Sequence, residues 1–353
     1  MGSERNPVTN RSAWRPDEMD TDRSWSFTLD EAHIQDLEKA LEGVRNKPFE
    51  RITREDFPLP SMSGLLQDLL TEVRDGRGFV TLSGIPTEFD YPDIERLYWG
   101  VCTHLGTGIT QNSETGLIHY ITDGELAPKD GARILGKPRP SKLHVDLTDV
   151  VGLFCVKQAP DNPLSLVASS MTVYNEILAR HPDYIERLER GYHWNRKGPH
   201  GSEKSHSEFR IPAWSKSDSV VSCRFHAGWI HGGQNAAGLE MSDQDAEIFA
   251  FIDEVSVENA FAFQLGPGDV GFWNNYTTFH GRQGFAETND ESQKRVLLRV
   301  WLDLDSIRPF ADEGRVRYGA IRHGQLGWTA EEVLSGRNLS PHNRHTNGVP
   351  VAG

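Results

Sequence analysis

The feature of this sequence that most limits its fold is a series of strand-like segments that runs from residue 116 to residue 304. Helical spacing interrupts this series only in VYNEILARHPDYIERLERG and SDQDAEIFAFIDEV, whereas a doubly wound parallel sheet would need a helix after almost every strand. The pattern therefore predicts a mainly β-fold with flanking helices, whose core is an antiparallel barrel or a jelly roll. The strand-like segments are GLIHYIT, KLHVDLT, VVGLFCVKQA, LSLVASS, SVVSCRFHAGWI, AFAFQLGPGDVGFWNNYTTFHG and KRVLLRVWLDL.

The remaining segments suggest how the chain is organised around this core. Residues 1–24 are polar without an apolar run, and we expect a disordered tail there. Residues 25–325 are expected to form a single domain that begins with amphipathic helices, such as the one predicted in SGLLQDLLTEVRDG. Residues 122–142 are rich in glycine, proline and charge, which predicts a surface loop that could act as a lid. Residues 326–353 are expected to form a C-terminal helix and an irregular tail.

Charge and composition narrow the class of partner. The chain of 353 residues has a formal net charge of -14, which would repel a phosphate backbone and argues against a nucleic-acid partner. No apolar stretch approaches the roughly 18 residues that a membrane span requires. The three cysteines are widely spaced among apolar neighbours, as reduced thiols of a cytoplasmic protein are. We therefore expect a cytoplasmic protein with a small-molecule partner, and the sequence leaves a homo-oligomer open.

One strand-like segment, KLHVDLT, carries a histidine and a carboxylate two residues apart. In a strand, His144 and Asp146 would share a face and could chelate a metal together. The alternative is a solvated edge strand with Asp146 turned outward. If Asp146 points into the barrel instead, its carboxylate must be paired or bound to a metal. Similar triplets begin at His181 and His206, but neither lies in a strand pattern.

Two later segments add a histidine and two arginines. His280 lies near the end of a predicted strand, where it could be a third ligand or a buried histidine satisfied by its neighbours. In KRVLLRVWLDL, aliphatic side chains alternate with a second set that includes Arg295 and Arg299. If the aliphatic face packs against helices, both guanidinium groups enter the barrel, where each needs an anion. A carboxylate cofactor would supply one.

Taken in order and spacing, these motifs resemble those of the Fe(II)/2-oxoglutarate-dependent oxygenases related to taurine dioxygenase, also called clavaminate-synthase-like. The resemblance rests on His144-x-Asp146, on His280 in NNYTTFHGRQGF and on Arg299 in RVLLRVWL, and it covers about residues 65–325. It implies a double-stranded β-helix core, a cupin-like jelly roll, in which His144, Asp146 and His280 bind Fe(II). Two imidazoles and one carboxylate on one face of Fe(II) leave positions for a chelating cosubstrate and O₂.

The resemblance also implies roles for residues that hold the cosubstrate. It favours Arg299 over Arg295 as the residue that binds the distal carboxylate of 2-oxoglutarate, and both are kept as candidates. Ser165 matches the family's cosubstrate-contacting hydroxyl, although Asn162-Pro163 replaces the family's Gly-Gly turn before it. The implied reaction hydroxylates an unactivated C–H bond and releases succinate and CO₂, with desaturation or ring closure as other outcomes.

The substrate implied by the resemblance is a small, amino-acid-like or carboxylated metabolite, as in secondary metabolism. Three residues are candidates for contacting it: Asn275, because it precedes His280 by five residues, and Arg224 and His226, because they would share a face if SVVSCRFHAGWI is one strand. A cupin-type dioxygenase or isomerase that uses no 2-oxoglutarate would share the metal ligands without requiring Arg299. A non-catalytic jelly-roll binding protein is the third hypothesis.

Overall fold

The computed structural model describes residues 5–111, 116–127, 136–195, 205–207, 209–217, 219–304, 307–308 and 327–335. Within these ranges the helices, numbered α1 to α9 in chain order, are Pro16–Thr21, Glu31–Val44, Ser63–Asp75, Tyr91–Thr103, Ser170–Arg180, Tyr184–Arg190, Ala227–Ala236, Asp243–Glu258 and Ala330–Ser335. The strands, numbered β1 to β13, are Ser26–Thr28, Phe79–Ser83, Thr107–Ile109, Ile118–Ile121, Ser141–His144, Val150–Lys157, Ser165–Ser169, Trp214–Ser217, Val220–Cys223, Ala260–Phe263, Val270–Asn274, Thr278–Arg282 and Val296–Asp303.

The strands form two main sheets and a separate hairpin. The large sheet has the order β1-β2-β11-β6-β13-β3, with β4 also paired to β13, and the small sheet has the order β10-β7-β12-β5. All pairs are antiparallel except β1 with β2. Rings from both sheets meet between them: Phe79 of β2 lies 4.9 Å from Phe263 of β10, centroid to centroid. The predicted jelly-roll core with flanking helices is confirmed.

The two faces of β13 show how the large sheet divides the core. Leu298, Val300 and Leu302 pack in a cluster with α2, α3 and α4, on the outer face of the large sheet. Leu297 and Trp301 belong to the other cluster, which lies between the sheets and beneath α5 and α8. The aliphatic face of this strand therefore contacts helices, and the alternate positions point into the barrel, as the alternation predicted.

The N-terminal segment differs from the expected disordered tail, because residues 5–24 are ordered against the barrel. Trp14 and Met19 are buried, and the indole Nε1 of Trp14 donates a hydrogen bond of 3.0 Å to the carbonyl of Arg77. Ser169 donates to the carbonyl of Ser12 at 2.6 Å. Two large apolar side chains and paired backbone groups fix this segment despite its polar composition.

The segment SVVSCRFHAGWI also differs from the prediction of one strand. β9 ends at Cys223, and α7 begins at Ala227, with His226 as its N-cap. The alternation of faces therefore stops after Cys223, and Trp229 lies in the helix. The regular spacing of polar and apolar residues in this segment does not come from one strand, because the segment contains the end of a strand and the start of a helix.

The other predicted boundaries are only partly covered by the described residues. β4 ends at Ile121 and β5 begins at Ser141, but residues 128–135 of the expected lid lie outside the description. The expected C-terminal helix is α9, and residues 336–353 lie outside the description. Among the helices described, none combines the length and the apolar character needed to cross a bilayer.

Candidate metal centre

Strand pairing brings the two predicted histidine ligands together. β5 and β12 are antiparallel neighbours in which His144 stands directly opposite His280, and the ring centroids lie 4.4 Å apart. Asp146 follows His144 just beyond the end of β5. One possible ligand atom from each of these three residues lies within 4.8 Å of the others. Among the residues described, this is the one group of three or more such side chains that could hold a metal ion.

Hydrogen bonds across the barrel fix the backbone between His144 and Asp146. The amide of Val145 donates to the carbonyl of Phe225 at 3.1 Å, and the amide of Asp146 donates to Oδ1 of Asn275 at 2.8 Å. These bonds replace the sheet ladder where β5 ends, and the Asp146 carboxylate remains beside the imidazoles. Asn275 therefore contacts the backbone of a candidate ligand, and its buried Nδ2 has no hydrogen-bond partner among the residues described.

The imidazoles are arranged to present lone pairs. Nδ1 of His144 lies 2.7 Å from the carbonyl oxygen of Lys142, which can only accept, so Nδ1 carries the proton and Nε2 is unprotonated. Nε2 lies 3.9 Å from Oδ1 of Asp146. Burial lowers the pKa of His144, and burial together with the neighbouring His144 lowers the pKa of His280 to about 3. Both rings are therefore neutral at pH 7, the form that binds a metal.

Asp146 is buried, but it is held in its ionised form. Burial alone would raise the pKa of this carboxyl group, and the Arg299 guanidinium and the two imidazoles more than offset that effect, so the pKa lies below its usual range. Nη1 of Arg299 donates to Oδ2 of Asp146 at 3.1 Å, and Nε1 of Trp301 donates to the same oxygen at 2.9 Å. Two neutral imidazoles and one carboxylate are the donor set that suits non-haem Fe(II).

Arg299 has a second partner that the sequence analysis missed. Its Nε donates to Oε1 of Gln111 at 2.6 Å, and Nε2 of Gln111 donates to the backbone carbonyl of Arg299, also at 2.6 Å. Gln111 follows β3 and belongs to no recognisable motif, so the sequence contained no signal for it. For Trp301 a signal existed, because it lies two residues after Arg299 on the same face of β13.

Arg295, the other candidate arginine, has no such carboxylate partner in the part of the chain that the structure describes. It is 4% exposed, and its Nε donates to Oε1 of Gln158 at 2.8 Å. Burial and the nearby Arg282 guanidinium lower the pKa of Arg295 to about 10, and no carboxylate of the described chain contributes to the shift. The Phe285 ring lies near both cations, 4.6 Å from Arg282 and 5.9 Å from Arg295. Arg282 pairs with Ser165 across β12 and β7, which places the predicted cosubstrate hydroxyl in the same region.

The remaining candidate substrate residues, His226 and Arg224, have different surroundings. The His226 ring lies 4.5 Å from the His144 ring, centroid to centroid, and its Nδ1 accepts a hydrogen bond of 3.4 Å from the amide of Trp229 in α7. Arg224 instead donates to the hydroxyl of Tyr276 at 2.7 Å and is buried there. The expectation that Arg224 and His226 share one face is wrong, because β9 ends before either residue.

Comparison with known proteins agrees with this arrangement. A family model described as "Taurine catabolism dioxygenase TauD, TfdA family" matches residues 45–301. Among curated proteins, the FR-33289 synthase of Streptomyces rubellomurinus is 26% identical over 318 residues, which are 87% of this chain and 93% of that protein. The taurine hydroxylase-like protein SAT17 of Stachybotrys chartarum is 24% identical, over 83% of this chain and 79% of that protein.

Solved structures of similar fold include two oxygenases. An asparagine oxygenase in complex with Fe(II), 3-hydroxyasparagine and succinate has a TM-score of 0.59 and 16% identity, and the match covers 79% of this chain and 93% of that one. The non-haem iron oxygenase OrfP in complex with Fe and alpha-ketoglutaric acid has a TM-score of 0.56 and 16% identity, with 79% and 94% coverage. The family model spans most of the chain, and the chain therefore belongs to the TauD/TfdA family of dioxygenases.

Proposed function

We propose that this protein is an Fe(II)- and 2-oxoglutarate-dependent oxygenase that acts on an unactivated C–H bond of a small, amino-acid-like or carboxylated molecule. The observation that carries the proposal is the cluster of His144, Asp146 and His280, whose possible ligand atoms lie within 4.8 Å of one another. These three residues would hold the metal. Bound there with 2-oxoglutarate and O₂, Fe(II) supplies the oxidising chemistry that puts one oxygen atom into the substrate and the other into succinate, with release of CO₂.

For 2-oxoglutarate, the contacts favour Arg295 as the residue that binds the distal carboxylate. Arg299 is already paired with Asp146 and Gln111, and these contacts leave it beside the metal ligands. Arg295 is a buried cation without a carboxylate partner among the residues described, and a second cation, Arg282, lies close to it. One carboxylate bound there would pair with Arg295 and weaken the repulsion between the two cations, and a buried charge of this kind is costly unless it is paired. We propose that Ser165 donates a hydrogen bond to the same carboxylate.

For the substrate, His226 is the candidate that lies next to the centre. We propose that the ring proton of His226 lies on Nε2, because Nδ1 faces the amide of Trp229 at 3.4 Å. Burial keeps the pKa of this imidazole well below its usual value. The side chain is therefore a neutral hydrogen-bond donor, which suits a carbonyl or carboxylate oxygen of the substrate. The solved relatives named above include complexes with 3-hydroxyasparagine and, for OrfP, with L-Arg, which supports an amino-acid-like substrate.

Three further parts of the proposal concern the setting of the reaction. We propose that the segment 122–142 closes over the centre, because it leads directly into β5 and His144. We propose that the enzyme works in the cytoplasm, a view supported by three buried cysteines that form no disulfide. The three proposed metal ligands lie on one chain; light scattering would determine whether the protein is a homo-oligomer.

The experiment that tests the function is anaerobic titration of the purified protein with Fe(II) and 2-oxoglutarate, followed by addition of O₂ and a panel of amino acids. We expect a weak visible charge-transfer band when both are bound, and succinate formation that a true substrate stimulates. Turnover without succinate would favour the cupin-type dioxygenase or isomerase. If the protein binds the metal but neither binds 2-oxoglutarate nor turns over a substrate, a non-catalytic binding protein would be favoured and the proposal would be contradicted.

A further inference from the structure

We infer that Trp301 and Arg299 are positioning residues that make Asp146 a one-oxygen metal ligand, and that Gln111 holds Arg299 in the orientation this requires. The inference rests on the proposed function, because it concerns the iron that His144, Asp146 and His280 would bind. It assigns to Arg299 a role different from binding 2-oxoglutarate. It also gives roles to Trp301 and Gln111, two residues for which the sequence predicts none.

The two oxygens of the Asp146 carboxylate have different surroundings. Oδ2 accepts hydrogen bonds from Nη1 of Arg299 at 3.1 Å and from Nε1 of Trp301 at 2.9 Å. Oδ1 accepts no hydrogen bond from any residue in the described ranges, and Nε2 of His144 lies 3.9 Å from it. Oδ1 of the carboxylate therefore faces the imidazoles and is available to a metal, whereas two donors occupy Oδ2.

This asymmetry affects how many coordination positions remain for the reaction. A six-coordinate iron with two imidazoles and one carboxylate oxygen has three open positions. A chelating keto acid would need two of them and O₂ the third. If Asp146 bound through both oxygens, one of these positions would be lost. Hydrogen bonds to Oδ2 oppose that binding mode because they occupy its lone pairs, and the bond from Arg299 is charge-assisted and hence strong.

The donors themselves are held rigidly. Gln111 bonds both the guanidinium and the backbone carbonyl of Arg299, at 2.6 Å each, so it fixes the side chain relative to its own strand. The Arg299 guanidinium also lies 5.4 Å from the centroid of the Trp301 ring. Both donors come from β13, a fully buried strand, so their positions relative to Asp146 do not depend on a surface loop.

The test compares two tryptophan-to-phenylalanine variants. Trp301→Phe removes the hydrogen bond to Asp146 and keeps an aromatic ring. Trp273→Phe is the matched control, because this ring also lies in the core beside a ligand, 5.7 Å from His280 between centroids. Its buried Nε1 has no hydrogen-bond partner within the described ranges. Both variants lose similar volume near the metal, and only Trp301→Phe loses a bond to a ligand.

The measurements are anaerobic Fe(II) binding without 2-oxoglutarate and the visible absorption of the Co(II)-substituted protein, which reports coordination number. We expect Trp301→Phe to weaken Fe(II) binding by about tenfold or more, as loss of an outer hydrogen bond to a ligand commonly does. We also expect it to change the Co(II) spectrum. Trp273→Phe should leave both close to wild type.

Equal behaviour of the two variants would overturn the inference. If Trp301→Phe does not fold, Arg299→Lys decides by the same comparison, because lysine keeps the charge but has one nitrogen in place of the separate Nη1 and Nε that bond Asp146 and Gln111. Wild-type-like Fe(II) affinity and Co(II) spectrum in that variant would overturn the inference as well. A wild-type protein that binds no Fe(II) would instead contradict the proposed function, so the two failures are distinguishable.

Discussion

Replacing Arg295 with methionine should have opposite effects on stability and on cosubstrate binding. Burial lowers the pKa of Arg295 to about 10, compared with an ordinary arginine value of about 12.5. At about 1.4 kcal/mol per pKa unit, the charged form costs the folded protein about 3 kcal/mol. This cost is fully present at pH 7 and would be relieved only as the pH rises above 10, because the folded pKa is the lower one.

Methionine removes that cost but also removes the hydrogen bond to Gln158, which is worth roughly 1.5–3 kcal/mol for a charged donor. The free energy of unfolding without ligand should therefore stay the same or rise by about 1 kcal/mol. Binding should change in the other direction. Loss of a buried cation that pairs with a carboxylate costs about 2–5 kcal/mol, which corresponds to at least a tenfold weaker affinity for 2-oxoglutarate.

The assay is urea unfolding of the metal-free protein, together with anaerobic titration of 2-oxoglutarate into the Mn(II)-loaded protein. Arg299→Met is the contrasting variant, since it breaks the contact with Asp146 and should weaken metal binding first. The reasoning is refuted if Arg295→Met keeps wild-type affinity for 2-oxoglutarate. It is equally refuted if Arg299→Met loses only 2-oxoglutarate while metal affinity is unchanged.

Four other predictions follow from the same contacts. Asp146→Ala should abolish both Fe(II) binding and succinate formation, and measurable tight binding in that variant would contradict the ligand assignment. The metal-free protein should lose stability as the pH falls from about 6.5 toward 3, because His280 takes up a proton in the unfolded chain but stays neutral in the folded chain, where its pKa is about 3. His280→Gln should reduce the pH dependence of the unfolding free energy measured in urea, and an unchanged pH dependence would argue against this cause. Trp14→Ala should cost about 3–5 kcal/mol of unfolding free energy. A loss below about 1 kcal/mol would instead support the expectation that the N-terminal segment is a disordered tail. His226→Phe should raise the KM for the substrate while leaving Fe(II) and 2-oxoglutarate affinities unchanged, and an unchanged KM would exclude substrate contact.

The parts of the fold that the sequence predicted are those encoded locally and by periodicity. β13 is the clearest example, because its alternation placed Val300 toward the helices and Trp301 toward the interior, and both lie there. The candidate ligands could be found for a similar reason. Metal binding requires particular residue types, and His144 and Asp146 lie two residues apart where a strand pattern is clear.

What the sequence could not predict depends on partners far away in the chain. Gln111 contacts Arg299 across 188 residues of sequence, and no pattern links the two. Arg295 and Arg299 share a strand face, so the alternation could not tell which one would pair with Asp146; only the three-dimensional position of the carboxylate decides that. The glycine-rich segment after Phe225 begins a helix that its composition does not suggest, and the expectation that Arg224 and His226 share one strand face is wrong for that reason.

The most direct test of the central claim is anomalous X-ray diffraction at the iron edge from crystals prepared anaerobically with Fe(II) and 2-oxoglutarate. We predict a single anomalous peak within bonding distance of His144 Nε2, one oxygen of Asp146 and a ring nitrogen of His280. The adjoining electron density should show 2-oxoglutarate with its distal carboxylate at Arg295. Iron bound elsewhere, or no anomalous peak between these three side chains, would contradict the account.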